Sequence, residues 1–120
     1  MIKKTIKYTD YDGNEREEDF YFNLTKMELT ELELSNDGGL SKLMQKLVQE
    51  NDVKRIMETF KKIINLSYGE KSLDGKRFVK NEEVLNKFIQ TEAYSNLFME
   101  LTTSDEKAAA FINGIVPQIK

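Results

Sequence analysis

Three short stretches carry residues whose types and spacing could do chemistry. Asp10, Asp12 and Asn14 occupy the first three ligand positions of a calcium-binding loop of the EF-hand type. That loop also needs glycine at its sixth place and glutamate at its twelfth, where Glu15 and Tyr21 stand, so the short polar side chains read as turn stabilisers. Gly69-Glu70-Lys71-Ser72 has the look of the end of a phosphate-binding loop, but its lysine does not directly follow the glycine, and Ile64 holds the place of the leading glycine. It reads as a helix stop. Glu15, Glu17, Glu18 and Asp19 could share acid and base work only if burial separated their pKa values. Here they read as a solvated negative strand face, with no glycine-lined pocket signature beside them. No catalytic residue, no metal ligand and no cofactor are assigned, and the chain is read as a non-enzyme.

Composition narrows the classes further. The chain has no histidine and no cysteine. That removes the commonest general base near neutral pH, the two commonest zinc ligands, the thiol nucleophile and any disulfide framework. With 120 residues, 39% of them hydrophobic, one core is expected and two are not, so residues 1–120 are read as a single domain. Eighteen basic side chains against 21 acidic ones give a net charge of −3 and no general attraction to phosphate backbones or anionic lipid. Neither nucleic acid nor a membrane is an expected partner. The opening Met1-Ile2-Lys3-Lys4 passes straight into alternating polar residues, and no stretch approaches the roughly 20 apolar residues of a membrane span.

The elements that must position any binding surface follow from hydrophobic spacing. Ile2, Ile6 and Tyr8 alternate with Lys3, Thr5, Lys7 and Thr9; Phe20, Phe22 and Leu24 alternate likewise, and Tyr11-Asp12-Gly13-Asn14 between them reads as a hairpin turn. A two-residue Asp12-Gly13 loop would set Ile6 opposite Asp19 and split the apolar residues between two faces. A three-residue loop or a bulge pairs Ile6 with Phe20, Ile2 with Leu24 and Lys7 with Asp19, giving one apolar and one charged face. Thr25 and Glu28 form a capping-box pattern for a short helix over about 26–34. Two strong helical stripes follow, Leu40, Leu43, Met44, Leu47 and Val48, then Val53, Ile56, Met57, Phe60, Ile63 and Ile64, with Asp52 as a cap between them and Gly69 at the end of the second. These two helices are expected to carry the core. Residues 70–80 form a polar excursion, either a loop or a small hairpin around Leu73-Asp74-Gly75-Lys76. Asn81 caps a helix bearing Val84, Leu85, Phe88 and Ile89, and after a break at Thr91 comes the stripe Tyr94, Leu97, Phe98 and Leu101. Thr103 with Glu106 is a second capping box before Ala108, Phe111, Ile112 and Ile115, and Pro117 ends the last helix. The expected fold is α+β and mainly α: an N-terminal β-hairpin over 2–24 packed on about five helices within 25–116.

Two features point to binding rather than catalysis. Residues 10–37 hold ten acidic and two basic side chains, whereas residues 70–80 hold Lys71, Lys76, Arg77 and Lys80 against Glu70 and Asp74. A solvated surface explains the acidic stretch, and such a stretch can also steer a basic partner. On the helix over 26–34, Met27 and Leu34 point away from Leu29 and Leu32, and Met99 lies on the back of the Tyr94-Leu97-Phe98-Leu101 stripe. Either these helices are buried on both sides, or Met27, Leu34 and Met99 form an adaptable protein-binding surface.

Several segments, taken in order and spacing, resemble a known family. They are Tyr8-Thr9-Asp10-Tyr11-Asp12-Gly13-Asn14 leading to Asp19-Phe20-Tyr21-Phe22-Asn23-Leu24-Thr25, Ser67-Tyr68-Gly69-Glu70-Lys71-Ser72 with Asp74-Gly75-Lys76-Arg77-Phe78, Gln90-Thr91-Glu92-Ala93-Tyr94-Ser95-Asn96-Leu97-Phe98, and Ala108-Ala109-Ala110-Phe111-Ile112-Asn113-Gly114. The likeness is to the tail assembly chaperones of long-tailed, siphovirus-type phages and prophages of Gram-positive bacteria, and it spans nearly the whole chain. The resemblance implies a non-catalytic protein of the host cytoplasm, absent from the mature virion. It implies the tape measure protein as partner, held soluble while tail tube subunits polymerise around it, with the tail tube protein as a further partner and self-association left open. In many relatives a ribosomal frameshift gives a second, longer product. The other reading is a structural virion protein such as a small tail-completion subunit, which a defined symmetric oligomer would favour.

Overall fold

Gly13 sets the first turn. In the computed structural model, which describes residues 1–35 and 53–117 but not the side chains of residues 33–35, 53 and 55, Gly13 has a φ of 84°. Its N–H donates to Asp10 O at 3.0 Å, and Asp10 N–H donates to Asn14 O at 2.9 Å. A three-residue loop that ends on a left-handed glycine is a standard hairpin closure, and the glycine belongs at its last position. Strands β1 (Ile2–Thr9) and β2 (Glu15–Phe22) therefore pair antiparallel with Thr9 opposite Glu15 and Ile2 opposite Phe22. The loop has the expected length but is centred on Asp12 rather than Gly13. Ile6 consequently lies opposite Glu18, Lys4 opposite Phe20 and Lys7 opposite Glu17, which corrects the expected pairings of Ile6 with Phe20, Ile2 with Leu24 and Lys7 with Asp19. A shift of two residues leaves every side chain on its expected face.

The chain continues through α1 (Lys26–Ser35) and α2 (Val53–Ser67), then β3 (Tyr68–Lys71), β4 (Phe78–Val79), α3 (Glu82–Ile89), α4 (Glu92–Thr103) and α5 (Asp105–Ile115). The sheet runs β1-β2-β3-β4, all antiparallel. The fold is α+β and mainly α, as the sequence predicts. The stripe over 40–48 and the Asp52 cap lie outside the described residues. Gly69 is not a helix stop: α2 passes directly into β3, and Gly69 is needed because a Cβ there would sit 2.6 Å from the Phe78 ring. The excursion over 70–80 is the small hairpin, closed by Gly75 at φ 74° and by Ser72 N–H donating to Arg77 O at 2.8 Å. The last cap is Ser104, whose Oγ accepts from Lys107 N–H; Thr103 belongs to α4 and bonds back to Met99 O.

The helices cover one face of the sheet. Phe22, Phe88 and Phe111 are fully buried, with Tyr68 stacked on Phe88 at 4.3 Å and 20°, and Phe22 edge-on to Phe111 at 5.1 Å. Each such ring contributes about 1.5–3 kcal/mol by burial. Ile63 and Ile64 of α2, Leu97 and Leu101 of α4, and Ile112 and Ile115 of α5 complete the centre. The core is thus shared among sheet, α2 and the three C-terminal helices, and Met57, expected in the α2 stripe, is an exposed side chain.

Candidate functional site

The capping box of α1 forms as predicted: Glu28 N–H donates to Thr25 Oγ1 at 3.1 Å, and Thr25 N–H donates to Glu28 Oε1 at 2.9 Å. This fixes the first turn and turns Leu29 and Leu32 inward while Met27 stays 68% exposed. Glu28 has a second task. Lys80 donates to both of its carboxylate oxygens, at 2.8 and 2.7 Å, and also to Asn23 O at 2.6 Å and Leu66 O at 2.9 Å. Burial pushes the Glu28 carboxyl up, but the bonds from Lys80 and Thr25 outweigh it and hold the group below its ordinary value. Lys80 is therefore a latch joining α1, the end of β2 and the end of α2, not a free member of a basic loop. No local pattern announces it, because its partners are 14 to 57 residues away.

Met99 is 53% exposed on α4, whose buried side is Ala93, Tyr94, Leu97 and Leu101. Its neighbour Glu100 pairs with Lys4 at 2.9 Å and with Lys107 at 3.3 Å, tying α4 to β1 and α5. Burial pushes Glu100 up, and the two lysines more than reverse that. Met27 and Met99 are thus both at the surface, beside two ionic nodes that share no residue. The Leu34 side chain lies outside the described residues.

On the face of the hairpin away from the helices, Thr5 donates to Asp19 Oδ1 at 2.6 Å, Lys7 lies 4.0 Å from Glu17, and Lys71 sits over the Tyr21 ring at 4.7 Å. At the tip, Asp10 accepts from Asp12 N–H and Asn14 N–H at 3.0 and 2.9 Å and pairs with Arg16, whose guanidinium holds the carboxyl low. Asp10 thus organises a turn, as its spacing suggested. Tyr8 Oη donates to Glu18, which raises the phenol pKa. Among the described residues no group of three or more acidic side chains is arranged to hold a metal ion, and no helix is long and apolar enough to cross a membrane.

Among the described residues the outer strand face of the hairpin is charged, Met27 and Met99 are exposed, and no buried side-chain polar atom lacks a hydrogen-bond partner. The chain belongs to the phage tail assembly chaperone family, whose sequence profile matches residues 1–119. No curated protein and no solved structure matches it. Membership supports a role in tail assembly through binding of tail proteins.

Proposed function

We propose that this protein is a non-catalytic, single-domain chaperone of the host cytoplasm that binds the tape measure protein, and at need the tail tube protein, of a siphovirus-type phage or prophage of a Gram-positive bacterium. The family match over 1–119 carries the reading. A tape measure chain is long and largely helical, and its apolar stripes aggregate until the tube encloses them. A holdase covers such stripes reversibly, with modest affinity per site, several copies per client, apolar contact at the centre and acidic residues at the rim. Met27, Leu34 and Met99 are the proposed contact residues; the exposure of Met27 and Met99 supports two of them.

The test is co-expression with fragments of the cognate tape measure protein. Wild-type protein keeps a fragment soluble, added salt weakens the complex only slightly, and Met27→Asp with Met99→Asp abolishes rescue while the free protein keeps its circular dichroism. Failure of the wild-type protein to solubilise any fragment ends the reading. Rescue by the folded double variant relocates the surface.

A further inference from the structure

The ladder between β2 and β3 stops early. Among the described residues only Tyr21 and Phe22 have strand partners on that side, Gly69 and Tyr68, followed by Asn23 N–H donating to Ser67 O at 2.8 Å. From Glu70 onward the chain pairs with β4 instead, Glu70 with Val79 and Lys71 with Phe78. The β1 ladder runs the whole length of β2. Backbone groups on an antiparallel strand alternate between its two sides. The Asp10–Asn14 bond turns the even-numbered residues of β2 toward β1, and the Asn23–Ser67 bond turns the odd-numbered ones toward β3. The N–H and C=O groups of Glu15, Glu17 and Asp19 therefore point out of the sheet. At its Asp19 end this edge borders an open groove of about 580 Å³ lined by Asp19, Phe20, Tyr21, Tyr68, Lys71 and Leu73.

We propose that this edge takes up an extended segment of a partner protein as an added strand beside β2, one that carries lysine or arginine at alternate positions and an apolar side chain where it passes Phe20. Strand addition satisfies the outward backbone groups, and alternate side chains then read the two faces separately. On the open face the new strand meets Glu15, Glu17 and Asp19, all exposed, so cationic side chains fit there. On the other face β2 presents Arg16, Glu18 and Phe20, so an apolar side chain fits at the Phe20 end, where the fully exposed Leu73 lines the same groove. A second copy of this chain fits poorly. Antiparallel pairing of two β2 edges would set Glu17 against Glu17 and Glu15 against Asp19, like charges directly opposed. The lysine-bearing β1 would be complementary, but its outer edge is guarded by α4, where Asn96 donates to Lys7 O at 3.0 Å. The inference is independent of the tape measure reading, because it uses a different surface and a different chemistry.

The experiment uses the full chain and a short fluorescent peptide of alternating lysine and valine. Binding is expected by anisotropy at low salt and should weaken steeply as salt rises. The amides of Glu15, Glu17 and Asp19 should become protected from hydrogen exchange in the complex. Glu15→Lys with Glu17→Lys, checked for folding by circular dichroism, should weaken binding about tenfold or more. A peptide N-methylated at every second amide tests the backbone bonds without touching the protein, and it should not bind. Equal affinity for the methylated peptide overturns the proposal in favour of charge attraction alone. Absence of binding overturns it, and so does protection of the same three amides in the free protein together with a doubled mass, which would make a second copy the occupant.

Discussion

Replacing Lys80 with methionine keeps the aliphatic stem in place and removes only the ammonium group. Three acceptors lose their donor: the Glu28 carboxylate and the Asn23 and Leu66 carbonyls. A hydrogen bond to a charged group is worth about 1.5–3 kcal/mol and one to a neutral carbonyl about 0.5–1.5 kcal/mol. The side chains of Lys80 and Glu28 retain 21% and 29% of their exposure, so water recovers part of each. A net loss of about 2–3 kcal/mol follows, or roughly 8–12 °C in Tm for a chain of this size. The pH dependence is sharper than the magnitude. Glu28 has a depressed pKa, so its contribution is present above its ordinary value of 4.5 and is lost as pH falls through the lower folded value. In the variant, burial still opposes the charge while the lysine is gone, so the deficit relative to wild type should shrink as pH falls through the folded value and Glu28 protonates in both. Urea unfolding of both proteins at neutral and acid pH measures this. A deficit below about 0.5 kcal/mol at neutral pH, or one unchanged by acid, would refute the latch.

Gly69→Ala places a Cβ 2.6 Å from the Phe78 ring and 2.9 Å from Val79 O, so the variant should lose about 1–3 kcal/mol in thermal or chemical unfolding. Unchanged stability would show that the β3–β4 contact is looser than described. Burial pushes Tyr68 up to about 12. A raised pKa means stability that is complete below pH 10 and declines toward about 12, by up to about 1.4 kcal/mol per pH unit; ultraviolet titration should lose one late-ionising phenol when Tyr68 is replaced by phenylalanine.

How far the fold could be read from the chain differs element by element. The amphipathic stripes and caps were legible because they are local: Asn81 does accept from Val84 N–H at 2.8 Å, and the Thr25–Glu28 box closes as its spacing implies. The hairpin's faces were legible, since side-chain alternation fixes them, but its register was not read from alternation alone. The missing constraint was the turn, because a left-handed glycine ends this kind of loop and so centres it on Asp12. Ser104 displaced Thr103 as the cap since neighbouring hydroxyl residues offer two adjacent starts, and packing chooses between them. Lys80 and Gly69 could not be read at all. One depends on acceptors brought together by tertiary structure, the other on the approach of a ring from β4. Of the candidate surface, exposed methionines could be inferred from helix geometry, whereas the open edge of β2 depends on where β3 leaves it.

Leu24 N–H donates to Ile115 O at 2.8 Å, and Gly114 lies against Ile2, where a Cβ would be 2.7 Å from the Ile2 methyl. The first strand pair is therefore finished by the last helix. During synthesis the hairpin leaves the ribosome before the helices, and although Tyr68 and Phe88 reach Phe20 and Phe22 earlier, Ile2 waits for its cover until residue 114 has been added. For that interval Ile2 and the side of Phe22 that Phe111 covers are available to whatever else is nearby. Truncation near the C-terminus should thus be felt at the opposite end of the sequence, as loss of order in β1 and the end of β2.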